Sequence, residues 1–170
     1  MRLRELKEKD VSGMYEWMHY KETQNIFEKN FNKYEKKDIL KFIKNQDDLS
    51  INFACVDNND NYLGTVSLKN INYDNKNAEL AISFTKGAQG TDATKFAMTE
   101  ILKFGFKKLK LKKIYLNVLS TNLRAINFYK KFGFKKEGCF KQHIIKNNDY
   151  IDLVWYEIID DEYKMWEYYA

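Results

Sequence analysis

The sequence predicts an α/β (α+β) domain on a mixed, mostly antiparallel central sheet of about seven strands flanked by helices. Three observations carry that prediction. Strand-like runs fall into a meander, a lone apolar strand and a hairpin. One long helical pattern separates the meander from the lone strand, which demands a parallel crossover. The chain has 170 residues, 44% hydrophobic and 16% aromatic, enough apolar surface for one core. With no proline, seven scattered glycines and no repeat at a fixed period, nothing resembles an interdomain linker, so residues 1–170 read as a single domain.

Each element has its own signal. A short strand opens the chain around Arg2 to Leu6. Val11, Met14, Tyr15 and Met18 then recur at helical spacing, with Asp10 or Ser12 available as a cap. A second helical pattern runs through Tyr34, Ile39, Phe42 and Ile43. The runs SINFACVD, NYLGTVSLKNI and NAELAISFT, separated by the turn-rich NNDN and NYDNKN, read as a three-strand meander. In KGAQGTDATKFAMTEILKFGFKKLKL, a glycine-containing loop introduces a long helix with Phe96, Ile101, Leu102 and Leu109 on its apolar side. IYLNVLS from Ile114 is a compact strand. STNLRAINFYKKFGF starts a helix near Asn122 and stops it at Gly133, and FKKEGCFKQHII and DYIDLVWYEII pair as a hairpin across KNN.

Charge and cysteine content narrow the function. The net charge of +5 comes from 29 Lys and Arg against 24 Asp and Glu, interleaved as on a solvated surface, which does not by itself argue for nucleic acid, and no nucleic-acid partner is expected. The Lys-rich stretch Lys103 to Tyr115 alternates with apolar residues, as on the wet side of a helix running into a strand. It could also attract a polyanionic small molecule. Cys55 and Cys139 lack the spacing of a zinc site, and no histidine stands at a telling distance from Cys139, so neither a metal nor a cysteine nucleophile is expected. No segment has a signal-peptide core or a membrane-span length, which predicts a cytoplasmic protein without a membrane partner.

Ligands of such sheets gather where neighbouring strands diverge and helix N-termini point outward. Two stretches qualify. In Gly87 to Asp92, glycine lets the backbone approach a ligand, and the free N–H groups of the following helical turn suit a phosphate. The same residues also make an ordinary turn with Thr91 or Asp92 as cap. In the second stretch, Asn122, Ala125, Ile126 and Tyr129 share one helical stripe, which equally fits a capped, packed helix.

The run SxNxRAIxFYxKxGFxxEG, with the strand, loop and long helix before it, resembles the GNAT superfamily of acyl-CoA N-acyltransferases across nearly the whole chain. The resemblance implies acetyl-CoA as cosubstrate and a V-shaped splay between the fourth and fifth strands. It places Asn122 on the pantetheine arm, gives Ala125 the role of leaving room for CoA, and brings Tyr129 to the sulfur as proton donor. It assigns Gln89, Gly90, Thr91 and Asp92 to the pyrophosphate, and the backbone N–H groups near Ile82, Ser83 and Phe84 to the acetyl carbonyl.

The family loop reads Gln or Arg, two residues, Gly, one residue, then Gly or Ala. Counting back from FGF puts Gly90 on the first glycine, leaving Gly87 and Asp92 as departures; a shifted register puts Ala88 and Gly90 on the two small positions. Glu79 is the expected base, with His19 and His143 as alternatives. The resemblance implies direct attack of a small primary amine, a nucleotide-linked amino sugar above all, with a polyamine or protein N-terminus as alternatives. A CoA-binding module without catalysis is the reading of a different class. A monomer or homodimer is expected.

Overall fold

The structure, a computed structural model, describes residues 1–169. The elements in chain order are β1 Arg2–Glu5, α1 Val11–His19, α2 Thr23–Ile26, α3 Lys36–Lys44, β2 Ile51–Val56, β3 Tyr62–Asn72 and β4 Asn77–Phe84. They continue with α4 Asp92–Lys103, β5 Lys113–Leu119, α5 Leu123–Lys131, β6 Lys135–Lys146, β7 Asp149–Ile159 and α6 Asp160–Tyr169. The strands form a single seven-stranded sheet in the order β1-β2-β3-β4-β5-β7-β6. Every pairing is antiparallel except β4 with β5, the pair that the crossover through α4 makes parallel.

Strand alternation sorts side chains onto two faces. Ala78, Leu80 and Phe84 of β4, Ile114, Leu116 and Val118 of β5, and Val154, Tyr156 and Ile158 of β7 pack with Ala97, Met98, Ile101 and Leu102 of α4 and Tyr163 of α6 in the main core. Glu79 and Asn117 take the opposite side. A second, smaller cluster of Met14, Trp17, Met18 and Ile39 closes α1 and α3 over the N-terminal strands.

The pairing between β4 and β5 lasts only from Asn77↔Lys113 to Glu79↔Tyr115. Beyond it β4 stays on β3 as far as Phe84↔Gly64, and β5 stays on β7 as far as Leu119↔Leu153. The sheet therefore forks after Glu79, which is the splay expected between the fourth and fifth strands.

Four details differ from the sequence reading. The long helix ends at Lys103 and turns into a π-helical segment, Phe104–Lys108, closed by the N–H of Leu109 on the carbonyl of Phe104 at 3.0 Å. Neither Asp10 nor Ser12 caps α1: the Asp10 carboxylate is spent on Arg4 and on the N–H of Lys7. The short α2 carried too few residues to show a period. The helix α6 was read as no element at all, although three acidic residues suit its first turn. It is held by Tyr163 stacked on Phe106 at 4.7 Å and by the Trp166 indole N–H on the carbonyl of Lys131 at 2.9 Å. No helix among the described residues is long and apolar enough to cross a membrane.

Candidate active site

The fork leaves the backbone of β4 from Leu80 to Phe84 without a partner strand on its β5 side, so alternate N–H groups of that stretch, those that do not bond β3, face the gap. The Phe84 side chain itself turns into the main core.

The loop that leaves the fork is shaped by Gly90, whose φ of +72° lies in the left-handed region. A Cβ at Gly90 would also sit 2.7 Å from Nη2 of Arg124, which a small movement of that flexible side chain relieves, so the left-handed φ is what reserves the position for glycine. Thr91 is the N-cap of α4, its hydroxyl accepting from the N–H of Ala93 at 3.2 Å. Asp92 neither caps the helix nor faces the loop: it is exposed and pairs with Lys95 at 3.0 Å.

Gln89 bridges the loop, donating from Nε2 to the carbonyl of Phe84 at 3.1 Å and accepting at Oε1 from Nη1 of Arg124 at 3.3 Å. Gly87, by contrast, sits in a short 3₁₀ turn where a Cβ would meet nothing within 4 Å. Arg124 was not singled out in the sequence. Its signal was there: a cation in the first turn of α5, in the stripe next to Asn122, opposite a loop proposed for a pyrophosphate.

On α5 the structural role of Asn122 is explicit. Its Oδ1 accepts from the N–H of Ala125 at 3.2 Å, and its Nδ2 donates to the carbonyl of Ile26 at 3.3 Å, tying α5 to the segment after α2. Ala125, half-buried, thus belongs to the same cap. The helix ends at Gly133, φ +86°, as the sequence predicts.

Tyr129, one turn beyond Ala125, packs its ring near Phe128 and Phe134 and makes no side-chain hydrogen bond among the described residues. Burial pushes its phenol up to about 12, so the group holds its proton firmly.

A cavity of about 300 Å³ lies at the fork, and Tyr129, Glu79, Ile82 and Ser83 all line it. Its remaining wall comes from far away in sequence: Met14, Trp17, Phe27, Phe31, Asp38, Ile39 and Phe42 on one side, Asn52, Thr65, Ser67, Lys69 and Asn117 on the other. Only Glu79, Ile82, Ser83 and Tyr129 of these were sequence candidates. The others are brought in by the packing of α1 and α3 on the sheet, which no local pattern encodes.

Glu79 is buried and heavily engaged. Lys69 Nζ stands 2.8 Å from Oε1, Asn117 donates to Oε1 at 3.1 Å, and Asn70 donates to Oε2 at 2.8 Å. A carboxylate offers about four lone-pair sites, so one acceptor position is left for a ligand or a water.

The two histidines stay outside. His19 stacks on Tyr15 and contacts the carbonyl of Tyr15 at 2.9 Å, and His143 lies against Phe140 with centroids 5.2 Å apart; neither lines the cavity. Burial raises the Cys55 thiol to about 11, Cys139 donates to the carboxylate of Asp152 at 3.7 Å, and neither cysteine lines the cavity.

Comparison with known proteins agrees with this geometry. The model of the "Acetyltransferase (GNAT) domain" family matches residues 3–155. A Vibrio cholerae spermidine N(1)-acetyltransferase is 31% identical over 133 residues, covering 76% of this chain and 77% of the relative. The crystal structure of the spermidine N-acetyltransferase from Vibrio cholerae in complex with CoA and spermine superposes with a TM-score of 0.86 at 27% identity, over 96% of this chain and 97% of that one. A dodecameric structure of the same enzyme reaches a TM-score of 0.77 at 26% identity, over 95% of each chain. The chain belongs to the GNAT acetyltransferase family, and it is an acyltransferase.

Proposed function

We propose that this GNAT acetyltransferase moves an acetyl group from acetyl-CoA to the primary amine of a small, cationic, polyamine-type acceptor, by direct attack in a ternary complex. The observation that carries the reading is the make-up of the cavity at the fork. Trp17, Phe27 and Phe31, whose rings pack against one another at 5.1 to 5.8 Å, line it together with the carboxylate of Asp38. Aromatic faces beside a carboxylate suit an alkylammonium chain. The spermidine specificity named for the relatives points the same way. The nucleotide-linked amino sugar expected from the sequence is less well served, because its pyrophosphate would bring negative charge to a cavity whose lining carries Glu28, Asp38 and Glu79 against Lys29 and Lys69.

The residues at the fork fit acetyl-CoA, which supplies the acyl thioester. The unpaired β4 backbone can donate to a carbonyl. Gly90 keeps the loop before α4 open to close approach, and Arg124 and Gln89 stand beside it with donors suited to phosphate. Gln89 offers a better register for the family pattern than Gly87. It leaves Asp92 on the first glycine position, where the outward turn toward Lys95 moves its charge off the loop. Ala125 leaves space on the α5 wall. Asn122 serves by exchanging its bond to Ile26 for one to the pantetheine arm.

The chemistry assigned to this chain's residues is proton handling and polarisation. A phenol held near 12 against a thiol near 8.5 makes complete proton transfer uphill by about 5 kcal/mol, so Tyr129 acts as a hydrogen-bond donor to the departing sulfur. Glu79, with one acceptor site left, orders the attacking amine or the water that carries its proton away.

A thiol-release assay with acetyl-CoA tests the proposal on alkylamines, a nucleotide-linked amino sugar and peptides with free N-termini. Release with the alkylamines is expected. Release with the amino sugar or the peptides alone overturns the acceptor reading, and tight acetyl-CoA binding without turnover on any amine returns the protein to a CoA-binding module.

A further inference from the structure

The strand beside Glu79 is irregular at the point where it meets that carboxylate. Between two paired positions β3 advances three residues, Lys69 to Asn72, while β4 advances two, Glu79 to Asn77. The side chains show the same insertion: Val66 and Leu68 enter the main core at the strand period of two, and the next to do so is Ile71. The extra residue is taken up at Asn70, whose φ of +51° lies in the left-handed region.

The insertion changes what faces Glu79. In a regular strand consecutive residues point to opposite faces, so Lys69 and Asn70 could not both reach one carboxylate. Here they do: the Lys69 ammonium lies 2.8 Å from Oε1, and the Asn70 amide donates to Oε2 at 2.8 Å. Asn117 also donates to Oε1, at 3.1 Å. With about two lone-pair sites on each oxygen, Oε1 is filled and Oε2 keeps one. Asn70 therefore holds the oxygen that is left to meet a ligand.

The shape of the bulge does not by itself call for an amide. Glycine and aspartate also tolerate the left-handed region, and neither has a side-chain donor for a carboxylate. Asn70 is exposed and is not part of the cavity lining, so it reaches Glu79 from outside the cavity.

We infer that Asn70 is a positioning residue for the acetyl transfer: the bulge of β3 aims its amide at Oε2 of Glu79 and so fixes the orientation in which the remaining lone pair meets the attacking amine or its water. The inference rests on the proposed role of Glu79 in handling the proton of the amine. Because Asn70 lies outside the cavity lining, it acts on the turnover of the bound complex and not on its formation.

Steady-state rates test this with acetyl-CoA and whichever of 1,4-diaminobutane, spermidine and spermine the wild type turns over fastest, at a temperature below the unfolding transition of every variant. Asn70→Gly keeps the backbone shape and removes the amide; kcat falls about tenfold, the scale of a slightly displaced catalytic group, with both KM values within about twofold. Asn70→Asp sets a second carboxylate beside Glu79 and lowers kcat further. Glu79→Gln lowers kcat about 10²-fold. In that background Asn70→Gly changes kcat by less than about twofold, because the amide then has no carboxylate to aim.

Wild-type kcat in both Asn70 variants overturns the inference, since a residue kept for shape alone tolerates both replacements. A loss carried by KM alone overturns it too, as does a tenfold loss that persists beside Glu79→Gln. Wild-type kcat in Glu79→Gln removes the role of Glu79 and this inference with it, and leaves the acceptor reading standing. Turnover of none of the three amines by the wild type overturns the acceptor reading itself, and this inference falls with it.

Discussion

The two walls of the site are built from differently distributed residues. The proposed cofactor wall uses two compact stretches, the end of β4 with its loop to α4, and α5; Gln89, Gly90, Asn122, Arg124 and Tyr129 all lie within them. The proposed acceptor cavity draws on α1, the turn at Phe31, α3, β2, β3, β4, β5 and α5, with Met14 and Tyr129 at the extremes of its scattered lining. In the first wall, function lies in backbone shape and helix periodicity, which neighbouring residues determine. In the second it lies in which side chains the tertiary packing of α1 and α3 brings over the sheet. Motif-level relationship therefore reports the reaction more directly than it reports the acceptor, and the two walls can be perturbed separately.

Tyr129, which faces both walls, carries the largest expected effect. Tyr129→Phe lowers kcat by about 10²-fold, the scale of a lost general-acid contact, and leaves the calorimetric Kd for acetyl-CoA within about threefold. Equal turnover in the variant removes its role.

Next come substitutions that break one wall at a time. Gly90→Ala forces an alanine to the left-handed φ of +72° against Arg124. It costs about 1–2 kcal/mol of stability by that conformational penalty, seen as a fall in Tm. Acetyl-CoA binding weakens by about tenfold as the loop moves. Asp38→Asn does the converse, raising the KM for a diamine by about tenfold and leaving acetyl-CoA affinity alone. If both variants change both constants equally, the walls are not separable.

The pH profile sharpens the boundary further. The acceptor amine must lose a proton, so kcat/KM climbs as pH rises. Tyr129 must keep its proton, and because burial raises the phenol, its loss of activity is displaced upward, toward about 12, instead of beginning near 10. A descending limb centred near 10 that disappears in Tyr129→Phe contradicts the buried, proton-holding phenol. The smallest effect belongs to Asp92→Asn, which removes an exposed, Lys95-paired charge near the loop and tightens acetyl-CoA by about two- to threefold at low salt, less as salt screens it.

The same division explains what could be read from the sequence. The order of strands and helices, the parallel crossover and the stripe Asn122, Ala125, Tyr129 follow from local periodicity and from residues with special backbone roles, and the fork from the family resemblance. Helix α6 escaped because it begins the moment β7 ends, with no turn between them, and its anchors Tyr163 and Trp166 make sense only against Phe106, Phe132 and Lys131. Arg124 escaped because its partner Gln89 lies 35 residues away. Glu79 was legible as a carboxylate on the right strand, but its three donors, from β3 and β5, were not. The acceptor was least legible for the same reason: the resemblance left a nucleotide-linked amino sugar, a polyamine and a protein N-terminus open, and the aromatic rings and Asp38 on which we base the cationic-amine proposal converge only in the folded chain.

The central claim is that both walls meet at the fork, so that the amine attacks the thioester directly while both substrates are bound. Initial velocities measured with acetyl-CoA and 1,4-diaminobutane both varied test this most directly. Intersecting double-reciprocal lines are the predicted result, the signature of a ternary complex. Parallel lines, the pattern of a covalent acetyl-enzyme, contradict it.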